Sequence, residues 1–62
     1  MNLKFENEKS YDIAYKFLEG NGFCFRSRRM DLVLEFYFEL ARREAIVFFE
    51  KLGLDNQFQL ID

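Results

Sequence analysis

The 62-residue chain has no histidine and a single cysteine, Cys24. Without an imidazole there is no histidine general acid or base, no histidine-dependent triad and no imidazole metal ligand. One cysteine cannot close an internal disulfide, so the expected compartment is reducing and cytoplasmic. Cys24 stands on an alternating segment with no base to activate it, and it reads as an inert small residue rather than a nucleophile. A glycine-rich phosphate loop, a CxxC pair and an HExxH helix are all missing. Acidic residues are interleaved with Lys and Arg, the pattern of solvated faces. "LDNQ" (Leu54–Gln57) lacks the spaced oxygen ligands of a calcium loop and reads as a turn. The expectation is a protein without enzymatic activity, cofactor or metal.

Long apolar runs are missing too. The longest uncharged ones, Leu32–Leu34 and Ala45–Phe49, fall far short of the roughly 20 residues that cross a bilayer. No membrane partner is expected. The opening "MNLKFENEK" is charged throughout, unlike a secretory signal. A formal charge of −2 argues against a general nucleic-acid binder, though it leaves room for a local basic patch. What the chain does have is apolar bulk: half of it is hydrophobic, with nine Phe and three Tyr. That is too much for a disordered chain, and it offsets the small fraction of surface, about 60%, that a domain of this length buries. Residues 1–62 read as one domain of marginal stability.

"LKFEN" (Leu3–Asn7) alternates like a half-buried strand. In "EKSYDIAYKFLEGNG" the period changes. With Ser10 as N-cap, Tyr11, Ala14, Phe17 and Leu18 share one side of a helix that Gly20 and Gly22 end. "FCFRS" resumes alternation with Phe23 and Phe25 on one face. The next stretch admits two readings. As a strand, Leu32, Leu34, Phe36 and Phe38 line one face, and a four-residue loop "RRMD" sets Ser27 opposite Leu32, Phe25 opposite Leu34 and Phe23 opposite Phe36. As one helix from Asp31 to Leu52, it would be about 33 Å long, awkward for so small a domain to cover.

An internal repeat favours the strand. Shifted by 31 residues, Leu3 meets Leu34, Phe5 meets Phe36, Ala14 meets Ala45, Phe17 meets Phe48 and Glu19 meets Glu50. The second copy then predicts a strand at Leu32–Phe38, a helix at Ala41–Leu52 without a good N-cap, and a last strand in "NQFQLI". Ala41, Ala45, Phe48, Phe49 and Leu52 form its inward side. The order β-α-β-β-α-β with right-handed crossovers is the split βαβ, ferredoxin-like arrangement. This is an α+β fold with a four-stranded antiparallel sheet, ordered 4-1-3-2, and both helices on one face. The other face is bare, and carries Lys4, Glu6, Cys24, Arg26, Val33, Glu35, Tyr37, Gln57, Gln59 and Ile61.

"RSRR" (Arg26–Arg29) is the strongest local charge feature. It reads either as an anion clamp at a hairpin tip or as a solvated loop partly neutralised by Asp31 and Glu35. A single-stranded RNA reader would want several exposed aromatics on the bare face, where only Tyr37 is expected. The leading expectation is a non-enzymatic regulator or inhibitor that occupies a surface of a larger protein partner. A chain that starts at Met without catalytic signature acts through its surface, as do many small acidic phage and mobile-element proteins that block host or CRISPR enzymes. The candidate contacts are Arg26, Arg28, Arg29, Glu35, Tyr37 and Val47, types that include the Arg and Tyr enriched at interface hot spots. The alternatives are nucleic-acid binding through Arg26–Arg29 and a designed chain without biological function. A free cysteine and a missing helix cap speak against design. A homodimer, through the bare face or an edge strand, is compatible with either natural reading.

Overall fold

Alternating and helical segments fold where their spacing places them. The computed structural model describes residues 1–61. It contains β1 (Asn2–Phe5), α1 (Glu8–Gly20), β2 (Phe25–Arg28), a 3-10 turn (Arg29–Asp31), β3 (Val33–Phe36), α2 (Glu39–Lys51) and β4 (Phe58–Ile61). Every strand pairing is antiparallel and the sheet order is β2-β3-β1-β4, the ferredoxin-like α+β arrangement. β3 rules out the single long helix over residues 31–52.

Leu3, Phe5, Leu34 and Phe36 point inward from the central strands and are almost wholly buried. The Phe5 ring lies edge-on to Tyr11 of α1 at 6.2 Å and to Phe49 of α2 at 5.7 Å, so both helices cover the same face of the sheet. Two of the pairs matched by the repeat meet in space. Leu3 is the cross-strand partner of Leu34, and the rings of Phe17 and Phe48 are 5.1 Å apart. Ala14 and Ala45 are both fully buried. The two halves are therefore related by an approximate two-fold axis through the β1–β3 pair.

Several local expectations are corrected. Asn7, not Ser10, caps α1: its backbone is extended and its Oδ1 accepts from the Ser10 N–H at 2.8 Å. Ser10 is instead buried in the first turn and donates its hydroxyl to Gln57 Oε1 at 3.1 Å. Gln57, which also accepts from Asn7, is thereby held at the start of α1 rather than among the bare-face residues.

The β2–β3 register is slipped by two from the expected one. Phe25 faces Phe36 and Ser27 faces Leu34, and the loop is residues 29–32 with Leu32 left-handed at φ 58°. A two-residue slip leaves every side chain on its own face, so the hydrophobic pattern could not distinguish the two registers. It moves Phe23 out of the strand, where its ring packs on Phe17.

β3 ends at Phe36, and α2 begins two residues before the expected Ala41. Phe38, expected in the core, is the N-cap residue of α2 and is exposed. The inward side of α2 is Ala45 and Phe49 with Ala41 and Ile46 partly buried, while Phe48 and Leu52 lie at its exposed margin. Leu54, read from the sequence as part of a turn, is buried in the core.

Candidate functional site

The basic run divides between the two faces of the sheet. Arg28, on the bare face, donates to Glu35 Oε2 at 2.7 Å and to Asp31 Oδ2 at 3.2 Å. The hydrogen bond and charge of Glu35, with Asp31 adding to them, hold the Arg28 guanidinium above its ordinary pKa. Arg29 turns toward the helices, where it pairs with Asp12 of α1 and sets its guanidinium 5.1 Å from the Tyr11 ring centroid. Its pKa is also raised, first by the hydrogen bond to Asp12. These contacts fasten the hairpin to its surroundings. Arg26, cross-strand from Glu35, forms no ion pair or side-chain hydrogen bond among the described residues.

Val33 was expected on the bare face and is only 3% exposed there. Its cross-strand neighbours are Lys4 and Arg28. Lys4 donates to the Asp31 carbonyl at 2.9 Å, while Arg28 reaches Asp31 and Glu35 on either side of Val33. Two long side chains thus lie over the valine with their aliphatic stems and keep their charges in water.

The six predicted contact residues do not form one surface. Arg26, Arg28, Arg29 and Glu35 gather at the β2–β3 hairpin. Tyr37 follows the far end of β3, two residues and roughly 7 Å of extended chain beyond Glu35. Val47 belongs to α2, on the other side of the sheet, and is 49% exposed.

Tyr37 and Val47 border a second surface, whose other exposed members, Phe38 and Leu40, the sequence did not reveal. Tyr37, Phe38 and Leu40 are 57%, 62% and 73% exposed, three large apolar side chains within four residues. Leu40 and Val47, seven apart on α2, share its solvent side, with Glu44 between them. Beside them a groove of about 290 Å³ opens between the α1–β2 loop and the start of α2. Asn21, Gly22, Phe23 and Cys24 form one wall, and Phe38, Ala41 and Glu44 the other. Gly22 at φ 72° makes the sharp exit from α1 that brings Phe23 to this wall. Glu44 forms no salt bridge among the described residues. In the sequence this surface was legible through Tyr37, Val47 and a helix start at Ala41 without a good cap; the residue that fills the cap position is Phe38.

Cys24 is exposed in that groove wall. Among the described residues no three Cys, Asp or Glu side chains are grouped to hold a metal ion, and no helix is long and apolar enough to cross a membrane. No protein-family model, curated protein or solved structure matches this chain.

Proposed function

We propose that this chain is a non-enzymatic protein-binding regulator or inhibitor that occupies a surface of a larger protein through the groove at the β3–α2 junction. The supporting observation is the joint exposure of Tyr37, Phe38 and Leu40 beside a groove walled by Phe23, Phe38 and Ala41. Single exposed apolar residues are ordinary on any protein, whereas a contiguous group beside a concavity is the usual form of a docking site. Covering one such side chain contributes roughly 1.5–3 kcal/mol. The unpaired Glu44 carboxylate at the wall suits a partner that offers an apolar anchor next to Lys or Arg. The hairpin arginines are less available, because Arg28 and Arg29 are already held by Glu35, Asp31 and Asp12.

The test compares partner binding by the native chain with Leu40→Asp and Arg28→Ala. Leu40→Asp should weaken binding more than tenfold, and Arg28→Ala should leave it close to native. The reverse order would move the site to the hairpin and overturn the groove reading. An amide-resolved titration with short single-stranded RNA and duplex DNA examines the nucleic-acid alternative. Shifts at Arg26–Arg29 that fade as salt rises would put that alternative first.

A further inference from the structure

β4 is the last strand of the sheet and has no neighbour on its outer side. Its hydrogen-bonding phase follows from two observations. The Glu6 N–H donates to the Gln57 carbonyl at 2.8 Å. On the other side of β1, Phe5 N–H donates to Leu32 and Phe36 N–H donates to Met1. In an antiparallel ladder the bonded residues alternate, so Gln57, Gln59 and Ile61 turn their backbone groups toward β1. Phe58 and Leu60 turn theirs outward, and none of these outward groups has a partner among the described residues.

Exposed edges invite pairing, and proteins blunt them with charge, proline or a covering segment. β4 has none of these: the six residues Asn56–Ile61 carry no charge and no proline. Leu60, on the helix side of the sheet, is 60% exposed. The other edge differs. The same alternation, carried across β3, leaves Phe25 and Ser27 facing outward from β2, with Arg26 between them.

We propose that β4 pairs antiparallel with β4 of a second copy of this chain, about a two-fold axis through Gln59. In this register Phe58 lies opposite Leu60 of the second copy and Leu60 opposite Phe58. The outward N–H and C=O groups of both residues are then all satisfied by their own counterparts. Side chains keep their faces, as an even register sum requires. Leu60 gains an aromatic neighbour on the helix side, and Gln59 meets Gln59 on the bare side, where neutral amides can bond to each other. The two sheets become one. Applied to β2, the same operation would set Arg26 against Arg26, a like-charge pair directly opposite, which is unfavourable. The charge pattern therefore selects β4 over β2, and the self-complementary register about Gln59 makes a second copy its occupant. This edge and the proposed groove share no residue, so either proposal can fail without the other.

Sedimentation across a concentration series, combined with residue-resolved amide exchange, tests the pairing. The expected mass is twice 7.6 kDa at high concentration, with the Phe58 and Leu60 amides protected as well as those of Gln59 and Ile61. Gln59 is the close, non-hydrogen-bonded pair on the axis, so Gln59→Arg should weaken dimerisation by about fivefold or more while the fold is retained. Leu60→Lys should act the same way, and Arg26→Glu should leave dimerisation unchanged. A monomer whose Phe58 and Leu60 amides exchange freely would overturn the proposal. So would a dimer that survives both β4 variants, or one in which Arg26→Glu alone alters association.

Discussion

Tyr15 shows how one contact on the helix surface reaches into the pH dependence of the fold. Its hydroxyl donates to Glu19 Oε2 at 3.1 Å, one helical turn away. That hydrogen bond, then the Glu19 charge, raises the phenol above its ordinary value near 10, since ionisation would break the bond and set two anions side by side. A pKa higher in the folded than in the unfolded chain stabilises the fold below the unfolded value. That contribution is lost as pH rises through the folded value. In a phenolate absorbance titration, Tyr15→Phe should remove one ionisation whose midpoint lies above the ordinary value, and Glu19→Gln should lower that midpoint toward it. A midpoint unmoved by Glu19→Gln would contradict the assignment. At this scale the sequence was legible where neighbours are local, as for the expected neutralisation of Arg28 by Asp31 and Glu35. It was not legible for Arg29, whose partner Asp12 is 17 residues away on another element.

The start of α2 unites stability with the proposed function. Phe38 has the extended backbone of an N-cap residue, φ −128° and ψ 136°, but its side chain makes no capping hydrogen bond. A Ser, Asp or Asn at such a position usually stabilises by about 0.5–2 kcal/mol relative to an apolar residue. Phe38→Ser should therefore raise the thermal midpoint, by roughly 4–8 °C per kcal/mol in a domain of this size, while it weakens partner binding at the groove. A lower midpoint would show that Phe38 packs more than its exposure implies. Equal or tighter partner binding would remove it from the docking surface. Strand and helix identities were readable because periods of 2 and 3.6 differ over four or more residues. Boundaries were harder. Asn7, read from the sequence as the end of the first strand, caps α1 in place of Ser10, and α2 began early because no polar cap marked its start.

The interleaving of the two halves governs how the whole molecule holds together. In the order β2-β3-β1-β4, β1 and β2 of the first half do not touch as a ladder, nor do β3 and β4 of the second. Every ladder joins one half to the other. The aromatic core is shared in the same way, with Phe5 and Phe17 of the first half against Phe49, Phe58 and Phe48 of the second. Fragments 1–31 and 32–62 should each lack stable structure by circular dichroism and acquire the native spectrum on mixing. Native-like signal in either fragment alone would contradict this account of the fold.

Periodicity and the 31-residue repeat, with the split βαβ arrangement they imply, were enough to specify the element order, the sheet order and most of the core. They act through local spacing and composition, which a chain carries before it folds. The two-residue register slip, the burial of Val33 under Lys4 and Arg28, and the recruitment of Leu54 and Gln57 were decided only by tertiary structure. So was the groove beside Phe38, because each depends on residues distant in sequence meeting across the sheet. Hydrophobic pattern assigns a side chain to a face, whereas its exposure there depends on which neighbours the completed fold lays over it.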